Sequence, residues 1–251
     1  MKNLINLEMK KVFSKKDVML ILGVLILIPV IFSLCLVDHI AGIDFSGQVS
    51  IDSYGIMIWS FLKYLFVLYL VPIYIACCFL GKEVENRSIN IMLSNEKREK
   101  VFIAKLLTYI GVLTLFFVLF NISSVVSYVL FIKNTTFASA IEASVGESIF
   151  LYGFQWIEMI FVLFVSATLC CVIKGNAVLV LGVGVIIVQK ILVNIDGIKR
   201  ILPYYISDYN SFSMIPANKL VKENAISLFI YFCIMLVLFV GSMNAWRKKD
   251  F

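Results

Sequence analysis

The sequence has few charged residues and one histidine, and both shortages limit what the protein can be. Only 15% of its 251 residues are charged, whereas 61% are hydrophobic. A soluble domain of this length typically has about 25% charged and 45–50% apolar residues. Such a domain could not bury so many large apolar side chains, and the mean hydropathy is +0.99. The composition therefore excludes an ordinary soluble domain and predicts a membrane protein.

Motifs for enzyme chemistry are also missing. No phosphate-binding G-x-x-x-x-G-K-[ST] pattern occurs, and His39 cannot form H-E-x-x-H or a protease triad by itself. The six cysteines lie in apolar runs without metal-ligand spacing. The basic residues behind the net charge of +6 are scattered between apolar runs, which does not suit nucleic acid. We therefore expect no catalytic residue, no cofactor, no metal and no nucleic-acid partner.

Six long apolar runs are present, and each can cross a bilayer core of about 30 Å as a helix. They cover residues 18–37, 56–80, 106–132, 149–173, 177–195 and 225–246. The runs are continuously apolar and lack the alternation of a membrane β-barrel. The sequence predicts an all-α polytopic membrane protein with one six-span domain over 18–251.

Residues 1–17 have the pattern of an amphipathic helix. Their apolar residues fall at i, i+3 and i+4, and most of the lysines occupy the rest of the surface. The stripe consists of Met1, Leu4, Ile5, Met9, Val12 and Phe13. This pattern favours a helix lying in the membrane interface, although the segment could simply be a positive flank that orients the first span.

The distribution of basic residues predicts the orientation of the spans. Segments 1–17 and 81–105 hold five and six Lys and Arg residues, whereas 38–55 holds none. Alternate segments together carry 15 on one side and 6 on the other. By the positive-inside rule, both termini and 81–105 are cytoplasmic, and 38–55 and 196–224 are external.

The charged loop 81–105 contains a short apolar helix pattern. Ile89, Met92 and Leu93 fall at i, i+3 and i+4, and Asn86 can cap the start of such a helix. An isolated helix of this length is marginal, so its apolar face needs a partner. That partner is either another protein or the ends of the protein's own spans.

With these features the chain resembles the permease subunit of bacterial ABC transporters of the type-2 exporter class. The matching loop residues are Glu83, Glu85, Ile89, Met92, Leu93, Ser94, Arg98 and Lys105. Arg87 and Ser88 stand where the family usually has Gly-Thr. The resemblance implies that 1–17 is an elbow helix and 81–105 contains the coupling helix that docks on an ATPase. Glu83, Glu85, Arg87 and Arg98 would then flank this dock.

The resemblance also implies the partners. Two cytosolic ABC ATPase subunits and a second permease chain, identical or paralogous, would complete the transporter. Residues 196–224 would form an external re-entrant segment, or else an ordinary interfacial loop. Small permeases of this kind resemble those of the plasma membrane of Gram-positive bacteria that export amphipathic or antimicrobial peptides.

Polar residues inside the spans are candidates for a translocation pathway. They are Lys63, Asn121, Ser124, Gln155 and Glu158. Asn121 and Glu158 fall at similar depth, Gln155 lies one turn from Glu158, and a Lys63–Glu158 ion pair is geometrically feasible. The pair is either structural or part of the pathway.

Two other functional classes remain open. One is a secondary transporter driven by an ion gradient, which would want several intramembrane ionisable residues and an internal repeat. The other is a membrane anchor or sensor that recruits a cytosolic partner without transport.

Overall fold

The computed structural model describes residues 1–37, 48–86, 96–138, 145–173, 177–192, 194–195 and 217–248. The described residues form helices α1 to α9, and no β-strand occurs among them beyond one bridge between Val49 and Ala138. The helices are α1 Lys2–Phe13, α2 Lys16–Val37, α3 Ile51–Tyr64, α4 Val67–Ala76, α5 Lys82–Glu85, α6 Arg98–Ser127, α7 Val145–Val172, α8 Ala177–Leu192 and α9 Ala217–Lys248. Two π-helical segments, Cys77–Gly81 and Tyr128–Ile132, continue α4 and α6. The predicted all-α class is confirmed.

Five stretches of helix are long and apolar enough to cross a membrane. They are Lys16–Val37, Val67–Glu85, Arg98–Ile132, Ile149–Val172 and Leu228–Lys248. Large apolar side chains such as Leu20 and Val237 are exposed on the outer face of the bundle. Because water would not favour this surface, the helices indicate a membrane-embedded protein.

The fifth predicted span, 177–195, corresponds to the shorter helix α8. Its 16 residues reach about 24 Å, less than the thickness of a hydrocarbon core. Residues 194 and 195 lie in a turn and a bend beyond it, so the helix ends earlier than predicted. A sixth full span therefore stays a prediction.

The second predicted span, 56–80, is wrong as one continuous helix. A capping box between Ser50 and Ser53 starts α3 earlier, at Ile51, and α3 stops at Tyr64. Phe66 then adopts a left-handed conformation with φ 61°, which costs a non-glycine residue about 1–2 kcal/mol. The Lys190 ammonium lies 4.8 Å from the Phe66 ring centroid and 5.2 Å from that of Tyr64, which stabilises the break.

α7 lies at the centre of the bundle, where α4, α6, α8 and α9 all pack against it. α6 in turn packs against α1, α2 and α3. Between α3 and α6, Trp59 meets Phe117 and Phe120 edge-on, with ring centroids 4.9 and 5.1 Å apart. These contacts fix the two helices that carry most of the polar residues described below.

One end of the bundle gathers α1, α5, the start of α6 and the last turn of α9; we call it the basal end. The Trp246 indole donates a hydrogen bond to the Arg98 carbonyl at 3.0 Å, and the ring of Trp246 stacks on Phe102. The first helix and the last turn of the last described helix therefore both pack against α6 at this end. Which compartment this end faces stays a prediction.

Candidate functional site

Four charged side chains meet at the basal end and form what we call the basal ion cluster: Glu8, Lys11, Glu83 and Lys105. The Lys105 Nζ atom lies 2.7 Å from a Glu8 oxygen and 2.6 Å from a Glu83 oxygen. The Lys11 ammonium pairs with the other Glu83 oxygen. Two cations and two carboxylates therefore balance each other at one point.

The cluster is largely withdrawn from solvent. Glu8 and Lys105 are 1% exposed and Glu83 is 6% exposed, whereas the Lys11 side chain is about one-third exposed. Burial lowers the pKa of the Lys11 ammonium, the neighbouring Lys105 lowers it further, and Glu8 acts in the opposite direction. Buried charges of this kind are stable only when paired, so losing one partner is costly for the others.

The basal ion cluster joins three separate helices. Glu8 and Lys11 come from α1, Glu83 comes from α5, and Lys105 comes from α6. α5 and α6 stand on either side of segment 86–97, which includes the predicted coupling helix. The charge pairs therefore connect α1 with both helices that flank this segment.

Glu83, one of the predicted coupling residues, lies inside the basal ion cluster. Its carboxylate is buried and paired with two lysines, and its role in coupling stays a prediction. Glu85 is exposed. Arg98 is also exposed, and its guanidinium donates to the Arg247 carbonyl at 3.1 Å. The remaining predicted coupling residues, Arg87, Ile89, Met92, Leu93 and Ser94, lie outside the described residues.

Sequence reasoning missed Glu8 and Lys11 as cluster members. Glu8 interrupts the apolar stripe of α1, one turn after Leu4 and one turn before Val12, and it is buried together with Val12. A carboxylate inside an apolar helical face needs a buried cation opposite it. A carboxylate at this place in the stripe is the sequence feature that could have predicted the cluster. Lys105, one turn before Tyr109 in α6, is the buried cation that it pairs with.

A second polar site lies halfway along α7, and we call it the mid-bundle site. Lys63 and Glu158 form the ion pair that the sequence allows, with 3.3 Å between Nζ and Oε2. The Tyr69 hydroxyl donates to Glu158 Oε1 at 2.6 Å. Lys63 comes from the end of α3 and Tyr69 from the start of α4, so Glu158 contacts both sides of the helix break.

Several polar groups in this part of the bundle lack partners. Gln155 lies one turn before Glu158 and is 1% exposed, yet neither of its amide atoms has a hydrogen-bond partner within the described chain. The same holds for the hydroxyls of Ser60, one turn before Lys63, and of Tyr231, which packs near Phe161. Unpaired buried polar atoms in a native fold call for an explanation such as water or a ligand.

Asn121 and Ser124 lie together beside Gly55 of α3. Their side chains donate to backbone carbonyls of their own helix, Asn121 to Phe117 at 2.8 Å and Ser124 to Phe120 at 2.9 Å. A Cβ atom on Gly55 would lie 3.3 Å from the Ser124 Cβ and 3.4 Å from Asn121 Oδ1. Glycine therefore permits α3 to approach α6 closely at this point.

Within the described ranges, no group of three or more His, Cys, Asp and Glu side chains is placed to hold a metal ion. All six cysteines are free thiols. In comparisons with known proteins, no family model matches the chain, and neither a curated protein nor a solved structure shows significant similarity to it.

Proposed function

We propose that the chain is the permease subunit of an ATP-driven exporter and forms half of its translocation pathway. The carrying observation is the basal ion cluster. It ties the amphipathic helix α1 to both elements that flank segment 86–97, where an ATPase would dock. Docking energy at that segment would then favour one arrangement of α4, α5 and α6 over another, as coupling between two sites requires.

The proposed pathway runs past the polar groups inside the bundle. Lys63, Gln155 and Glu158 belong to the mid-bundle site, and Asn121 with Ser124 lines the contact between α3 and α6. Helices that break inside a bundle beside polar groups are typical of transport proteins. The break at Leu65 and Phe66 supports this use of the site.

The proposal also covers the partner subunits, the membrane and the substrate. Two cytosolic ABC ATPase subunits would bind at the basal end, and a second permease chain, identical or paralogous, would complete the pathway. The membrane would be the plasma membrane of a Gram-positive bacterium. The substrate would be an amphipathic or antimicrobial peptide, because the polar residues are set among apolar and aromatic side chains.

Affinity purification followed by reconstitution tests this proposal. A tagged chain isolated from its native membranes should retain an ATPase whose turnover in proteoliposomes depends on the chain and rises with a peptide substrate. Vesicles should move a labelled peptide only with ATP, and an ATPase variant that cannot hydrolyse ATP serves as the control. A chain that moves the peptide without any ATPase, or that never retains one, would contradict the proposal.

One alternative gains support from the helix break. A buried Lys–Glu pair beside broken helix ends also suits a secondary transporter driven by an ion gradient. The same vesicles distinguish the two, because transport would then follow an imposed proton or sodium gradient without ATP. A chain that binds a cytosolic protein but moves nothing under either condition would be a membrane anchor or sensor.

A further inference from the structure

A groove of about 490 Å³ opens on the flank of the bundle where α3, α6 and α7 meet. One face of α6 from Phe117 to Val126 forms its floor, which makes it about 14 Å long at the helical rise of 1.5 Å per residue. The floor side chains other than Asn121 are apolar, and Val118 and Ile122 are 45% and 54% exposed. Grooves of this volume hold ligands of small-molecule size.

A negative charge stands at one end of the groove. Asp52, in the first turn of α3, is half-buried, and its carboxylate has no hydrogen bond or ion pair within the described chain. The nearby Tyr152 hydroxyl donates to the Asp52 backbone carbonyl at 3.0 Å and therefore does not neutralise the carboxylate. Among the described residues, no cation is paired with this carboxylate in the groove.

Two further oxygen atoms, from residues that line the same groove, lie beside the next turn of α3. A Cβ atom on Gly55, one turn after Asp52, would lie 3.0 Å from the Tyr152 hydroxyl and 3.4 Å from Asn121 Oδ1. The Asn121 amide nitrogen already donates to Phe117, so its carbonyl oxygen is left as an acceptor. The end of the groove thus combines one negative charge with hydrogen-bond acceptors, above an apolar floor.

We propose that this groove binds a cationic amphiphile, with its ammonium group against Asp52 and Asn121 and its apolar part along Val118 and Ile122. The carboxylate would repel an anionic headgroup, and a lipid acyl chain would fill the floor without using the charge. If the groove supplies the exporter with its substrate, that role rests on the proposed function. Binding itself requires no ATPase and is measured without one, so the two proposals can fail separately.

Binding to the purified chain in phosphatidylcholine nanodiscs tests the site. The probe is a fluorescent dodecylammonium amphiphile, compared with the same labelled chain carrying a phosphocholine or a sulfate headgroup. The cationic probe should bind most tightly. Asp52→Asn should weaken its binding about fivefold, as expected for a partly exposed ion pair, and leave phosphocholine binding unchanged. Glu85→Gln, which removes an exposed carboxylate at the basal end, is the charge control.

A second pair of variants tests the floor independently of Asp52. Ile122→Trp fills the groove and should weaken binding of all three probes, whereas Leu130→Trp adds the same bulk to an exposed position of the same span outside the groove. Circular dichroism and gel filtration confirm that each variant is folded. Three results would each overturn the proposal: equal binding of the three headgroups, unchanged binding by Asp52→Asn, or equal losses in the two Trp variants. Each would mean that the probes partition into lipid, or enter the groove without using the charge of Asp52.

Discussion

Two lysines of this protein, Lys63 and Lys105, are each 1% exposed and each face carboxylates from distant parts of the chain. Taking an ammonium group out of water is expensive, and the opposing charge offsets that cost only when the geometry is close. Such residues therefore fix which helices can be neighbours. A single substitution at one of these lysines or its carboxylate partner should therefore lower the free energy of unfolding strongly.

Glu158→Ala should destabilise the protein more than Glu158→Gln. Alanine removes the carboxylate that faces buried Lys63, and breaking a buried pair in this way costs about 3–5 kcal/mol. Glutamine keeps an acceptor for the Tyr69 hydroxyl, so part of the interaction survives. The free energy of unfolding in mixed micelles measures both losses.

The exchange of the two charges is the matched control for this pair. Lys63→Glu combined with Glu158→Lys should restore part of the stability that either single change removes, because opposite charges still face each other. Transport by the same variants distinguishes a structural pair from a pathway pair. Normal transport by both Glu158 variants at normal expression would remove Glu158 from the pathway.

Lys105→Met should be far more harmful than Lys11→Met. Lys105 is buried between Glu8 and Glu83, so its loss leaves two carboxylates short of a cation and should cost about 3–5 kcal/mol. Lys11 is partly exposed, and solvent screening should keep its loss below about 1 kcal/mol. Chemical unfolding of the two purified variants measures the difference. Similar losses would show that the basal ion cluster is not organised around Lys105.

At the scale of elements, two features bound the same part of the chain: the break between α3 and α4, and the basal ion cluster. α4, its π-helical continuation and α5 form one stretch between them, with Tyr69 contacting Glu158 at one end and Glu83 contacting Lys105 at the other. Both ends of this stretch are held by buried charges. In the proposed exporter, this stretch would carry a displacement from segment 86–97 to the mid-bundle site.

The predicted coupling helix in segment 86–97 gives the most direct prediction. Leu93→Asp should insert into the membrane normally, because the spans are untouched, but should lose the co-purifying ATPase. An unpaired charge placed in an apolar contact is costly, and each fully buried apolar side chain there contributes roughly 1.5–3 kcal/mol.

Quantified co-purification and ATP-dependent transport provide the readout. Met92→Leu keeps the apolar face and should behave like the parent protein. A Leu93→Asp protein that binds its ATPase with parental affinity and still transports would contradict the coupling-helix assignment and most of the exporter proposal.

At the scale of the whole molecule, the basal end should face the cytoplasm. Asn86, at the end of α5, is exposed there, and Ser46 belongs to the opposite loop by the predicted topology. In a cysteine-free background, a membrane-impermeant thiol reagent added to intact cells should label Ser46→Cys but not Asn86→Cys. Lysed cells, in which both should be labelled, are the control. Labelling of Asn86→Cys alone in intact cells would reverse the orientation.

The sequence by itself determined the class of the protein and the position of most helices. The apolar runs 18–37, 106–132 and 149–173 overlap described helices, since continuous apolar runs are local and a lipid environment permits few backbone structures. The Lys63–Glu158 pair could be predicted for the same reason. When two spans are helical, the residue number gives the depth of each side chain in the membrane. Lys63 and Glu158 are the two charged residues that fall at similar depth inside the spans.

Only the tertiary structure decided where α3 breaks and how the basal charges combine. Phe66 carries no glycine or proline signal for a left-handed turn, and the proline of this run, Pro72, lies inside the continuous helix α4. Lys190 from α8 is what lies against the break. Likewise Glu8, Glu83 and Lys105 are far apart in the chain, and a one-dimensional pattern does not state which buried charges meet. Helix positions follow from local hydrophobicity, whereas ion pairs and breaks depend on which helices pack side by side.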